Sequence, residues 1–208
     1  MKRTTFALLF ACLVLSVAAQ DSYKVNYTGA KPTIKDFAQA YFSQVEVWDD
    51  PVEEVGLDEA TNAFKGAWMR YHEGVEQPDD VKFVVDEKNG YILYESQYEN
   101  DLIRAEMCYW NEVDGKHKLI AINIACFTDG RHIPGQFDGL SFMRYKNATK
   151  RMTDCDAPGF TALYMNDNLD YISYSLPRTG KNIIETAWLK NGKTSQRVLK
   201  WNGHKFSY

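Results

Sequence analysis

Two hydrophobic periods divide the chain. Between Thr33 and Tyr71 apolar residues recur at helical spacing, whereas from Val81 onward they alternate with polar ones, the period of a strand covered on one side. Ile34, Phe37, Ala38, Tyr41, Phe42 and Val45 make one stripe, with Thr33 placed to cap the helix and Asp36 placed to answer it. Asp49-Asp50-Pro51 ends that helix. A second begins near Asp58, carries Ala60, Phe64, Ala67, Trp68 and Tyr71, and meets a C-terminal stop in Gly74. Both stripes are wide enough to cover a sheet and too narrow for a membrane span.

Four dipeptides punctuate the alternating part: Asn89-Gly90, Asp114-Gly115, Asn191-Gly192 and Asn202-Gly203. Each predicts a two-residue type I′ turn, in which both central residues take positive φ and the register is thereby fixed. About Asp114-Gly115, Tyr109 faces Ile120, Met107 faces Ile122, Ala105 faces Ile124 and Ile103 faces Cys126, an apolar row throughout. The reverse side sets Arg104, Glu106, Cys108 and Trp110 against Ala125, Asn123, Ala121 and Leu119, a mixed row that reads as half solvated. Asn89-Gly90 pairs Val85 with Tyr94 and Phe83 with Ser96. The last two turns bring Ile184 opposite Leu199 and Leu199 opposite Phe206. Residues 160–165 and 171–176, around Asn166-Asp167-Asn168, predict one more hairpin. The fold expected is α+β: two N-terminal helices packed on a large, curved, mostly antiparallel β-meander of about nine or ten strands. Two lobes of smaller sheets are the alternative. Residues 128–159, with one strand over 140–145, mark a sub-boundary in a single α+β domain spanning 20–208.

Composition adds a destination. Lys2 and Arg3 precede an apolar run over residues 6–17, and Val17 and Ala19 take the −3 and −1 positions of a cleavage site, so residues 1–19 read as a signal peptide. Cleavage would remove two of the 24 basic residues and none of the 28 acidic ones, leaving a formal charge of −6 with no basic block. Such a chain is a poor ligand for nucleic acid or anionic membrane, and no other segment has the apolar length of a membrane span. The expected location is periplasmic or extracellular. Cys108, Cys126 and Cys155 remain, an odd number that closes no disulfide framework.

The chain contains no HExxH, GxSxG, CxxC or GxxxxGK[ST] motif. His72, His117, His132 and His204 are scattered, and none has ligand spacing to another His or to a Cys. Asp129, Arg131 and His132 form the one local polar group, with Gly130 allowing a sharp bend; Asp129 and His132 suit acid–base or metal chemistry. Asn166, Asn168 and Asp170 alternate like the start of an EF-hand loop, but Tyr171 stands where its glycine belongs. No catalytic residue, metal or cofactor is therefore assigned. Trp110 on the mixed face and Trp201, opposite His204 across the final turn, are candidate platforms for a glycan or protein partner.

The opening Lys31-Pro32-Thr33-Ile34-Lys35-Asp36-Phe37 and the ending Leu199-Lys200-Trp201-Asn202-Gly203-His204-Lys205-Phe206 resemble small secreted proteins of unknown function from Bacteroidetes-type bacteria. The resemblance implies a periplasmic or surface location and carries over no activity and no residue roles. The expectation is an exported, non-catalytic binding or interaction protein using Trp110, Trp201, His204, Asp129 and His132. The alternatives are a hydrolase built on carboxylates or on Asp129 with His132, and a barrel-type carrier whose cavity is lined by Met107, Tyr109, Ile120 and Ile122.

Overall fold

The computed structural model describes residues 22–44, 57–132, 139–163 and 168–208. The signal peptide expected over 1–19, Val45, Asp49-Asp50-Pro51 and the turn at Asn166-Asp167 lie outside these residues. A short strand, β1 (Ser22–Lys24), precedes both helices, α1 (Ile34–Phe42) and α2 (Leu57–Glu73). Thr33 is the N-cap of α1, and the Asp36 carboxylate accepts its backbone N–H at 2.7 Å, as the sequence pattern implied. At the far end of α2, Gly74 takes a φ of 71° and donates to the Tyr71 carbonyl, while Val75 donates to the Arg70 carbonyl. These are the two reverse bonds of a Schellman stop, and they need a residue at ease in the left-handed region.

The strands that follow are β2 (Val81–Asp86), β3 (Tyr91–Tyr98), β4 (Asp101–Asn111), β5 (His117–Thr128), β6 (Arg131–His132), β7 (Gly139–Lys146) and β8 (Arg151–Asp154). After these come β9 (Leu169–Ser175), β10 (Asn182–Leu189), β11 (Thr194–Trp201) and β12 (Phe206–Ser207). All pair antiparallel, but in two open sheets. One has eight strands in the order β1-β8-β7-β5-β4-β3-β2, with β6 beside the end of β5; the other has four in the order β12-β11-β10-β9. The single meander of about nine or ten strands is thus corrected to twelve strands in two sheets among the described residues. Residues 160–163 form no strand, and the 128–159 region supplies β7 and β8 to the larger sheet.

The three layers follow from which faces are apolar. Phe37 and Phe42 of α1 and Phe64 and Trp68 of α2 bury against Ile92, Met107, Ile120 and Met143 on one face of the eight-stranded sheet. Each such side chain contributes about 1.5–3 kcal/mol by leaving water. The other face packs Leu93, Trp110, Leu119 and Phe142 against Ile183, Leu199, Trp201 and Phe206 of the smaller sheet. The face read as half solvated is therefore dry, because the second sheet covers it. A barrel lumen is overturned too: both sheets are open, and Met107, Ile120 and Ile122 are buried beneath the helices, with the half-buried Tyr109 packed against them.

Turn chemistry explains which registers came out as expected. In all four turns only the glycine has positive φ, so none is type I′. Gly90, Gly115 and Gly192 instead each close an i→i+3 turn, with their N–H groups on the carbonyls of Glu87, Glu112 and Leu189. Across β4 and β5 the register is unaffected, and Tyr109 faces Ile120, Met107 Ile122, Ala105 Ile124 and Ile103 Cys126. A four-residue loop after β2 slips the partners by two, giving Phe83 opposite Tyr94 and Val85 opposite Ile92, which keeps every side chain on its face. The Lys190-Asn191-Gly192 loop has three residues and slips the register by one, so Ile183, not Ile184, meets Leu199 and enters the core. At the final turn Phe206 faces Trp201 rather than Leu199.

Candidate ligand-binding site

The side chains singled out from the sequence do not converge. Trp110 is 4% exposed and Trp201 5% exposed, both between the sheets. The Trp110 indole donates to the Lys181 carbonyl at 3.1 Å and meets the Phe206 ring edge-on at 5.5 Å, so neither tryptophan offers a ring face to solvent. His204 sits on the exposed last turn, and Trp201 pairs with Phe206 instead. Asp129 is exposed on the β5–β6 turn, whereas His132 is 4% exposed. The His132 Nδ1 lies 2.9 Å from the Cys126 carbonyl, and its ring is surrounded by Phe127, Tyr171 and Trp188. One residue of that pair points outward and the other into an aromatic cluster.

A different set does converge, at the end of the eight-stranded sheet where the β4–β5 and β7–β8 turns meet the loop before α1. Together they enclose a pocket of about 510 Å³. Tyr27, Lys31 and Pro32 line it from the loop before α1, Tyr109, His117 and Lys118 from β4 and β5, and Asn147 from the β7–β8 turn. The two turns are joined by hydrogen bonds: Asn147 Nδ2 donates to the Gly115 carbonyl at 2.9 Å, and Asn147 N to the Lys116 carbonyl at 2.9 Å.

The β4–β5 turn organises the charges. Asp114 accepts the backbone N–H groups of Lys116 and His117 at 2.8 and 3.0 Å, and its other oxygen lies 2.5 Å from His117 Nδ1. The bond to His117, with the backbone donors, pulls the Asp114 carboxyl down to about 2. Glu112 is gripped by the Arg144 guanidinium through two parallel bonds of 2.7 and 2.5 Å. Lys118 is 8% exposed, its ammonium bonded to the Asn111 carboxamide oxygen and placed 4.8 Å from the centre of the Tyr109 ring. Burial pushes its pKa below the ordinary lysine value, and Lys31 nearby pushes the same way.

Glu112, Asp114 and His117 have ligand atoms within 4.8 Å of one another, the spacing of a metal site. The residues do not fit one: Arg144 occupies both Glu112 oxygens, and Lys118 and Lys31 add positive charge to the same pocket. The pocket lining has no Ser, Thr or Cys among the described residues. The thiols of Cys108 and Cys155 lie elsewhere and are blunted by burial, which drives Cys108 well up and Cys155 to about 11. A larger hollow of about 960 Å³ beside Cys155 is broadly open at the margin of the sheet.

The sequence pattern places Asp114 in a turn and His117 among scattered histidines, and it gives Lys118 no role. The available signal was the end of the apolar row: after Tyr109 and Ile120 the next facing pair on that side is Asn111 and Lys118, a polar pair where the pattern calls for core. The chain matches no protein-family model, no curated protein and no solved structure.

Proposed function

We propose that this protein is an exported, non-catalytic binding protein, periplasmic or extracellular, whose ligand sits in the pocket between the β4–β5 and β7–β8 turns. The observation that carries the reading is the pocket itself: about 510 Å³, within the range of about 300–1,000 Å³ usual for small-molecule sites, with aromatic walls from Tyr27 and Tyr109 and converging polar groups. The signal-peptide pattern over residues 1–19 and the resemblance to secreted bacterial proteins support export. The acidic balance argues against nucleic acid as partner, and no helix among the described residues is long and apolar enough to cross a membrane.

A thermal-shift screen of residues 20–208 against glycans, organic acids, metals and lipids tests this reading, since a ligand selective for the folded state raises the midpoint. A hit should lose its effect when Tyr27, on the pocket wall, is replaced by Ala. A hit that is indifferent to Tyr27→Ala would place binding elsewhere.

One observation favours a second reading, a hydrolase in which Asp114 orients His117 as a general base, in place of Asp129 with His132. It requires turnover of some ester or glycoside substrate that disappears in His117→Gln, with binding retained.

A further inference from the structure

Lys118 is a cation on the helix-facing side of the central sheet, at the margin where α1 stops covering it. Taking an ammonium out of water is costly unless an opposite charge compensates. Among the described residues Lys118 has no carboxylate within 4.0 Å; its partners are the neutral Asn111 side chain and the face of Tyr109. The two acids close by are engaged otherwise, Glu112 by Arg144 and Asp114 by His117. The second lysine of the pocket, Lys31, approaches from the helix side and adds to the uncompensated charge. A positive hollow is thus built into a chain whose formal charge is −4 overall.

Resting on the binding reading above, we propose that the ligand of this pocket is a small molecule carrying an oxyanion (a carboxylate, sulfate or phosphate) that pairs with Lys118 and Lys31. The geometry suits a group of limited size. Lys118 lines the same hollow of about 510 Å³ as Lys31, His117 and Asn147, and Tyr27 and Tyr109 add aromatic carbon against which a sugar or other flat body of the ligand would lie. Lysine supplies a point charge without the planar fork of arginine, so it sets the sign of the ligand more strictly than its geometry. The anion supplies the counter-charge that the fold withholds.

The test is calorimetric titration of residues 20–208 with glucuronate, inorganic sulfate and inorganic phosphate, and with glucose as the neutral counterpart of the first. The three oxyanions separate the possible sources of the charge. Binding of at least one, weakened by added sodium chloride and reduced roughly thirtyfold or more in Lys118→Met, is the result expected. Lys118→Met keeps the unbranched stem and removes a buried charge, so the fold should hold. If that variant unfolds, Lys31→Met, at an exposed position, must weaken binding in the same direction. Lys200→Met, on the second sheet, should leave affinity unchanged. Failure of all three oxyanions to bind, or equal binding to Lys118→Met and Lys31→Met, overturns the proposal. If a neutral sugar binds in a Tyr27-dependent way while the oxyanions do not, the anion is overturned and the binding pocket stands. Silence from every ligand class overturns both.

Discussion

Glu106 shows how much a single residue decides in this fold. It is 3% exposed, between the two sheets, and its carboxylate accepts the Tyr91 hydroxyl at 2.6 Å, the Leu176 backbone N–H at 3.1 Å and the Asn123 amide at 3.3 Å. Asn123 also donates to the Tyr174 carbonyl, so the cluster ties the central sheet to the start of the second. Burial outweighs these donors and raises the Glu106 pKa above its ordinary 4.5. The folded state therefore holds the proton longer than the unfolded state. Stability from this group is greatest below pH 4.5 and declines as pH rises through that value towards the raised folded one. Glu106→Gln can turn its NH₂ to the Tyr91 hydroxyl oxygen and keep its carbonyl oxygen on the Leu176 and Asn123 donors, so it should fold and lack that decline; urea titrations of both proteins from pH 4 to 8 measure the difference. Tyr91→Phe leaves one carboxylate oxygen unpaired in a dry site and should cost about 1–3 kcal/mol in the same assay. None of this cluster could be read in advance as a unit. Glu106 and Asn123 sit side by side in a row that alternation marks only as mixed, and the covering sheet begins some fifty residues later in the chain.

At the scale of elements, the Asn-Gly and Asp-Gly dipeptides located four hairpins but could not fix loop length, and the β3–β4 and β7–β8 turns, with left-handed Glu99 and Lys150 in place of a glycine, carry no such mark. A type I′ turn and a longer loop ending in a left-handed glycine share the Asn-Gly or Asp-Gly sequence, and they differ by one or two residues of register. That is why the β4–β5 pairing was legible and the β10–β11 pairing came out one residue away. The helices were legible because capping and the 3.6-residue stripe agree. The short strands β1, β6 and β8 were not, since two to four residues are too few to show a period. Glycines also differ in what surrounds them. Gly115 has open space around its Cα and a φ of 65°, so Gly115→Ala should cost about 1–2 kcal/mol from backbone strain alone. Gly159 has a φ of 70°, and an added Cβ would lie 2.4 Å from the Phe206 carbonyl oxygen, on a segment anchored by the Phe206 N–H to Pro158. Gly159→Ala should therefore cost clearly more, and paired denaturation curves would rank the two.

For the whole molecule, the decisive arrangement is a central sheet buried on both sides, helices above and a four-stranded sheet below. Its sequence signature is β5, where residues from Lys118 to Cys126 are all buried and Leu119 to Ile122 is continuously apolar. Such a run belongs to a strand covered on both faces, and it contradicts the half-solvated row that the neighbouring β4 suggests. The lower layer depends on a short final strand. Phe206 is fully buried and packs on Trp201 at 4.9 Å and on Trp110 at 5.5 Å. Phe206→Ala should thus cost about 3–5 kcal/mol, as a full-size core deletion does, although it lies two residues from the C-terminus. The same layering explains the fate of the candidate site. The tryptophans became core, and the pocket proposed for the ligand lies at the sheet's end, where two turns and a loop meet.

The most direct test of that assignment is a ¹⁵N NMR titration of residues 20–208 with glucuronate. Shifts confined to the amides of Asn111 to Lys118, Lys31 and Asn147, and lost in Lys118→Met, are the outcome expected. Shifts clustered instead around Cys155 and Phe160, or around His132 and Trp188, would contradict it.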